Sequence, residues 1–197
     1  GLRREHWASS RPAFLGKGGL TPAERGTALH QFLQFADWEA ARVSPDAELR
    51  RLRDGRYLTK EQAGAVDLSR VKKFFSSDLA ARIFASPRVL REYRFTSELP
   101  AGVVREGLSG EDAQKPVILQ GVVDCAFVED GALVVLDFKT DRVPDLGALL
   151  ARYRAQLVLY RGALAQCTGL PVRECVLYSF HLGDFLSFSG TEDEKTS

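Results

Sequence analysis

No apolar run in this chain is long enough to cross a bilayer, and no signal peptide is read at its start, so no membrane association is expected. Cysteine is scarce. The three present, Cys125, Cys167 and Cys175, lack CxxC spacing, which excludes a four-cysteine iron–sulfur site and a disulfide framework. They read as small core residues of a reducing compartment. No phosphate-loop motif occurs, so any ATP use belongs to a motor outside this segment, and no solenoid-period repeat is present. Net charge is nearly absent too: 27 Lys+Arg against 26 Asp+Glu leaves +1, which neither favours nor excludes a nucleic-acid partner. Local basic runs, Arg50–Arg51–Arg53–Arg56 and Arg70–Lys72–Lys73, read as solvated helix faces. The chain opens on Gly1 rather than Met, which points to a piece of a longer polypeptide.

What is present is ordinary for one globular domain: 197 residues, 45% hydrophobic and 27% charged. Residues 1–20 read as a linker or arm, 21–188 as a single domain and 189–197 as a polar tail. "TPAERGTALHQFLQFADW" carries a full helix start, with Thr21 as N-cap, Pro22 at the first helical position and Glu24 completing a capping box. A charged, partly helical stretch runs through Arg56. A second capping box, "TKEQ" at 59–62, precedes short helices that Ser77 caps and Pro87 stops. "RVLREYRFTSEL" is strand-like, and residues 100–116 read as a mobile loop or weak hairpin. "DLGALLARYRAQLVLYRGALAQ" is a long helix from Asp145 to Gly169, and "VRECVLYSFHL" is a strand. This order gives an α/β or α+β domain, a central mixed sheet flanked by helices with an N-terminal helical region.

"QGVVDCAFVEDGALVVLDFKTD", residues 120–141, raises the chemical question. Asp130–Gly131 is a favoured two-residue turn, and centring it there pairs Asp124 with Asp137 across the strands. Lys139 shares the face of Asp137 because side chains alternate. Like charges placed opposite one another repel, and one lysine compensates only in part. Either the pair is a plain Asp–Lys ion pair at a sheet edge with Asp124 exposed, or a divalent cation such as Mg²⁺ lies between the carboxylates. The apolar flanks Val134, Leu136 and Phe138 weigh toward the second.

"GVVD" followed by "LDFKTD" resembles the two strand motifs of the PD-(D/E)XK nuclease superfamily. "RGTALH" is similar to the helical motif of its RecB-type branch, "REYRF" to the strand that carries a glutamate, and "QLVLY" to its QxxxY motif. With "YLTKEQAGAVD" and "FFSSDLAARI" in the same order, the chain is most similar to the C-terminal nuclease domain of the AddA subunits of AddAB helicase–nucleases.

The resemblance implies a restriction-endonuclease-like core and a metal-dependent deoxyribonuclease acting on single-stranded DNA. Its metal is Mg²⁺, for which Mn²⁺ can substitute. The ligands it implies are His30, Asp124, Asp137 and the backbone carbonyl of Phe138, with Lys139 assisting the attacking water. Glu92 either binds a second metal or orients water. Gln156 and Tyr160, four apart on one helix face, line the groove that takes the strand. The resemblance also implies a second, AddB-like subunit as partner and a role in recombinational repair of double-strand breaks. The location it implies is the bacterial cytoplasm, in association with the nucleoid. Two other readings are a non-cleaving DNA-binding module with a nuclease fold and a stand-alone RecB-type exonuclease. Retention of both acids and the lysine opposes the first; the helical region and the missing cysteine cluster oppose the second.

Overall fold

Thr21 accepts the Glu24 amide while the Glu24 carboxylate takes the Thr21 N–H, and this reciprocal cap starts α1 (Pro22–Phe35). The computed structural model describes residues 20–105 and 107–189; the arm and the polar tail expected from the sequence lie, but for Leu20 and Ser189, outside the described residues. Each of the next helices begins with a side-chain cap as well. Asp37 caps α2 (Trp38–Val43), Ser44 caps α3 (Pro45–Asp54), and Thr59 with Gln62 forms the second capping box on α4 (Lys60–Ala65). Asp67 caps α5 (Leu68–Phe75), and Ser77 caps α6 (Asp78–Ala85). Such caps matter because these helices are too short to persist on propensity alone.

Five strands form one sheet in chain order: β1 (Val89–Pro100), β2 (Pro116–Glu129), β3 (Ala132–Lys139), β4 (Val172–Ser179) and β5 (Asp184–Phe188). All neighbours are antiparallel except β3 and β4, which run parallel and are joined by the crossover helix α9 (Leu146–Thr168). The sheet is therefore mixed, as expected. Asp130 and Gly131 both have positive φ, 49° and 77°, and the β2–β3 register pairs Cys125 with Leu136 and Glu129 with Ala132 as the two-residue turn requires.

One expectation needs correcting, and one strand was not foreseen. Residues 100–116, expected as a mobile loop or weak hairpin, instead carry two short helices, α7 (Ala101–Val104) and α8 (Gly110–Gln114), at the end of a long hairpin in which β1 and β2 stay paired out to Pro100–Pro116. Between β4 and the polar tail expected from residue 189 lies a fifth strand that the sequence pattern did not reveal. Gly183, at φ 66°, turns the chain back to pair β5 along β4.

The sheet buries both faces. Cys125, Phe127, Val134, Leu136, Phe138 and Tyr178 pack against the N-terminal helices, where Phe138 joins Trp38, Phe74 and Phe180 in an aromatic cluster. Val123, Ala126, Leu133, Val135 and Leu177 pack against α9. Among the described residues no helix is long and apolar enough to cross a membrane.

One glycine is fixed by packing. Gly121 lies directly across from Phe95, and a Cβ there would fall 2.6 Å from Phe95 Cζ and 3.2 Å from Tyr160 Cε1. Both rings are held edge to face, 5.1 Å between centroids, so neither has room to yield freely. Gly121→Ala is expected to cost about 1–3 kcal/mol as overpacking, read as a lower urea midpoint with unchanged m-value. A variant as stable as wild type would show that the ring pair moves aside.

Candidate active site

The β2–β3 ladder runs from the turn to Cys125–Leu136 and stops, although β3 continues to Lys139. At the next step a side chain replaces the backbone acceptor: Phe138 N–H donates to Asp124 Oδ2 at 2.7 Å. Asp124 and Asp137 therefore meet where the two strands part, the position that the Asp-Gly turn predicts. Asp137 is only 7% exposed. Its Oδ2 lies 2.6 Å from Lys139 Nζ, yet no donor meets that buried oxygen in hydrogen-bond alignment.

Three further elements converge on the pair. A bare Cα at Gly26 lets α1 lie against Thr140, since a Cβ there would fall 2.5 Å from Thr140 Oγ1. One turn along the same face, His30 Nδ1 lies 3.6 Å from Asp124 Oδ1. Arg91 holds the far end of α1, donating to the Gln34 and Ala36 carbonyls and stacking over Trp38.

Beside Arg91, Glu92 sits at φ +48° inside a strand, a conformation that a side-chain-bearing residue adopts at a cost of roughly 1–3 kcal/mol. Pairing resumes on both sides of it, Arg91 with Cys125 and Tyr93 with Val123, which sets Glu92 across from Asp124. Glu92, Asp124 and Asp137 thus form a row across three strands.

The electrostatics follow from depth. Burial pushes Asp137 up to about 6, with Lys139 opposing and Asp124 adding to it. Burial acts the same way on Asp124, but the hydrogen bond and charge of His30 and the Phe138 N–H outweigh it and hold Asp124 below its ordinary value. Burial lowers Lys139, and Asp137 more than reverses that. Both members of the Asp137–Lys139 pair are therefore raised, because Asp137 is the deeper and desolvation dominates only there. His30 is likewise pulled down by burial and lifted above its ordinary value by Asp124. Glu92 is raised by burial first and by Asp124 second.

Gln156 and Tyr160 stand apart from this cluster. Both are half-buried on α9, and Tyr160 packs its ring on Phe95. A third residue of that helix, Tyr153, does reach the site: Lys139 Nζ lies 3.9 Å from its ring centroid, and its hydroxyl donates to Asp141 Oδ2 at 3.0 Å. Its sequence signal was its place three residues before Gln156, on the same helix face. Arg91 carried none, since its partners are backbone carbonyls 55 and 57 residues away in sequence.

Among the described residues no three His, Cys, Asp or Glu side chains converge as one ligand set; His30, Asp124, Asp137 and Lys139 are instead joined pairwise. The donor chemistry still fits a hard divalent cation, with two carboxylates, one imidazole and a buried carboxylate oxygen lacking an aligned donor.

The sequence matches the family profile of the PD-(D/E)XK nuclease superfamily over residues 5–184. It is 39% identical over 189 residues to an ATP-dependent helicase/nuclease subunit of Geobacillus thermodenitrificans (strain NG80-2), covering 90% of this chain and 15% of that protein. The protein of the same description from Clostridium botulinum (strain 657 / Type Ba4) is 34% identical over 180 residues, covering 89% of this chain and 14% of that one. The chain thus spans about 15% of the length of the curated relatives it matches.

Proposed function

This chain belongs to the PD-(D/E)XK nuclease superfamily, and from that premise we propose that it is a divalent-metal-dependent deoxyribonuclease domain cutting single-stranded DNA. The observation that carries the reading is the acid row at the parted end of β2 and β3, with the buried Asp137 carboxylate held against the Lys139 ammonium at 2.6 Å.

His30, Asp124, Asp137 and the Phe138 carbonyl would hold Mg²⁺, for which Mn²⁺ can substitute. When bound, that cation supplies Lewis acidity toward the scissile phosphate and a water. Asp124 stays ionised under His30 and the Phe138 N–H, so it is ready to ligate without first losing a proton. Lys139 brings a fixed positive charge to offset the charge growing on the attacking oxygen and the phosphate in the transition state. The Tyr153 ring and Asp137 hold its ammonium in place. Glu92 adds a third carboxylate on the β1 side, suited to orienting the attacking water. Direct attack by water needs no covalent enzyme intermediate. Gln156 and Tyr160 offer the strand one polar and one aromatic contact, which favours backbone and stacking recognition over base readout.

The relatives are described as subunits of an ATP-dependent helicase/nuclease, which supports placing this domain in a longer helicase–nuclease; an AddB-like partner subunit, a role in double-strand-break processing and a place at the nucleoid of the bacterial cytoplasm are part of the proposal. The direct test is degradation of labelled single-stranded DNA by the chain. Cleavage is expected with Mg²⁺ or Mn²⁺ and none in EDTA; equal cleavage in EDTA would sink the reading.

A further inference from the structure

The proposed chemistry uses the acid row and α9, but not the guanidinium groups beside the start of α1. A cleft of about 670 Å³ opens there, between the first turns of α1, the α4–α5 junction and the segment after β3. That is within the range of built ligand sites, roughly 300–1,000 Å³. Arg25, Arg70 and Arg142 line it, together with Asp67 and Asp141.

Both carboxylates are already matched. Asp67 lies 3.2 Å from Arg70, and Asp141 accepts from Arg152 at 2.8 Å and from Tyr153. Arg25 gives its Nε to the Leu20 carbonyl and has no carboxylate partner among the described residues. Arg142, exposed, has neither a hydrogen-bond nor an ion-pair partner among them. Two positive charges are therefore left over in one concavity, an arrangement that draws anions.

The cleft lies close to the acid row. Gly26 and Thr140 both line it; Gly26 lies one turn before His30, and Thr140 directly follows Lys139. A strand whose scissile phosphate sat at the acid row would bring its neighbouring phosphates within reach of these arginines, where a lone anion would have no reason to sit beside the row. α9 covers the opposite face of the sheet.

We propose that this cleft binds the phosphate backbone of the single-stranded DNA adjoining the scissile bond, with Arg25 and Arg142 each taking a phosphate. The proposal rests on the nuclease reading. The strand would then pass Gln156 and Tyr160 on one side of the acid row and the arginines on the other.

The test is fluorescence anisotropy of a labelled oligothymidylate with the chain in EDTA, across a KCl series. Arg25→Ala and Arg142→Ala are each expected to lower the log–log salt slope by about 0.7, the value for one phosphate contact on a single strand. The double alanine variant should weaken binding at least about tenfold. Arg25→Lys with Arg142→Lys should recover much of the slope, since charge is kept. Arg53→Ala, an exposed arginine of α3 paired with Asp54, should change nothing. Thymidine monophosphate should compete no better than inorganic phosphate; full competition would make the cleft a mononucleotide pocket and overturn the strand path. Wild-type affinity and slope in the double variant, with metal-dependent cleavage by wild type intact, would overturn the cleft alone. Wild type that neither binds nor cuts DNA would remove the nuclease reading itself.

Discussion

Asp137→Asn is expected to lower metal-dependent cleavage by about a thousandfold, the largest loss for any single change in this domain. The substitution keeps the shape of a side chain that is only 7% exposed and removes its charge. Loss of activity can then be read as loss of chemistry rather than of packing. The same variant should lose the thermal stabilisation that Mg²⁺ gives wild type, because a cation that binds only the folded state raises its stability by mass action.

Its pH behaviour supplies an independent check in the metal-free chain. Folding raises Asp137 from its ordinary 3.8 to about 6, so between those values the folded state holds more protons than the unfolded one. Stability from this group is then greatest below the lower value and falls as pH rises through the window. In Asp137→Asn that contribution disappears, and the melting temperature should fall less, or rise more, than in wild type between pH 4 and 6. A variant that cuts within tenfold of wild type would remove Asp137 from the chemistry, whatever its melting curve.

The acid pair was legible in the sequence because a two-residue Asp-Gly turn leaves little freedom: once both φ values are positive, every facing pair across β2 and β3 is set. The helix starts at Thr21, Thr59, Ser77 and Asp145 were legible for a similar reason, each being a local exchange between a side chain and an amide three residues on. Glu92 is different. Nothing in "REYRF" announces a left-handed residue inside a strand, since that strain is sustained by pairing on both sides with β2. Tyr153 and Arg91 act through contacts between separate elements, which no local pattern encodes. β5 was missed because "DFLSF" is short and only half-buried, and its pairing depends on the Gly183 turn and on β4 being already in place. Residues 100–116 looked like a loop because they are rich in Gly, Glu, Asp and Pro. Their order comes from the long β1–β2 hairpin that they close.

Lys139→Met separates the lysine's two roles. In wild type the ammonium is 2.6 Å from the same Asp137 carboxylate that is proposed to ligate the cation, so it competes with the metal while serving the reaction. Methionine fills the methylene path beside the Tyr153 ring without a charge. Cleavage is expected to fall by about a hundred- to a thousandfold, the scale for losing one group that stabilises transition-state charge. Mg²⁺ binding should tighten, because Asp137 is left facing Asp124 with no cation of its own. Without metal, the variant should be less stable than wild type at neutral pH by on the order of 3–5 kcal/mol, since removing one partner leaves the other buried and unpaired. That deficit should grow as pH rises, because an unpartnered Asp137 is raised further and its proton is lost at greater cost to the folded state. Adding Mg²⁺ should then raise the melting temperature of Lys139→Met by more than that of wild type, while Asp137→Asn shows almost no rise. If both variants lost Mg²⁺ stabilisation equally, Lys139 would be organising the ligands rather than competing for them, and its part in the reaction would be to assemble the site.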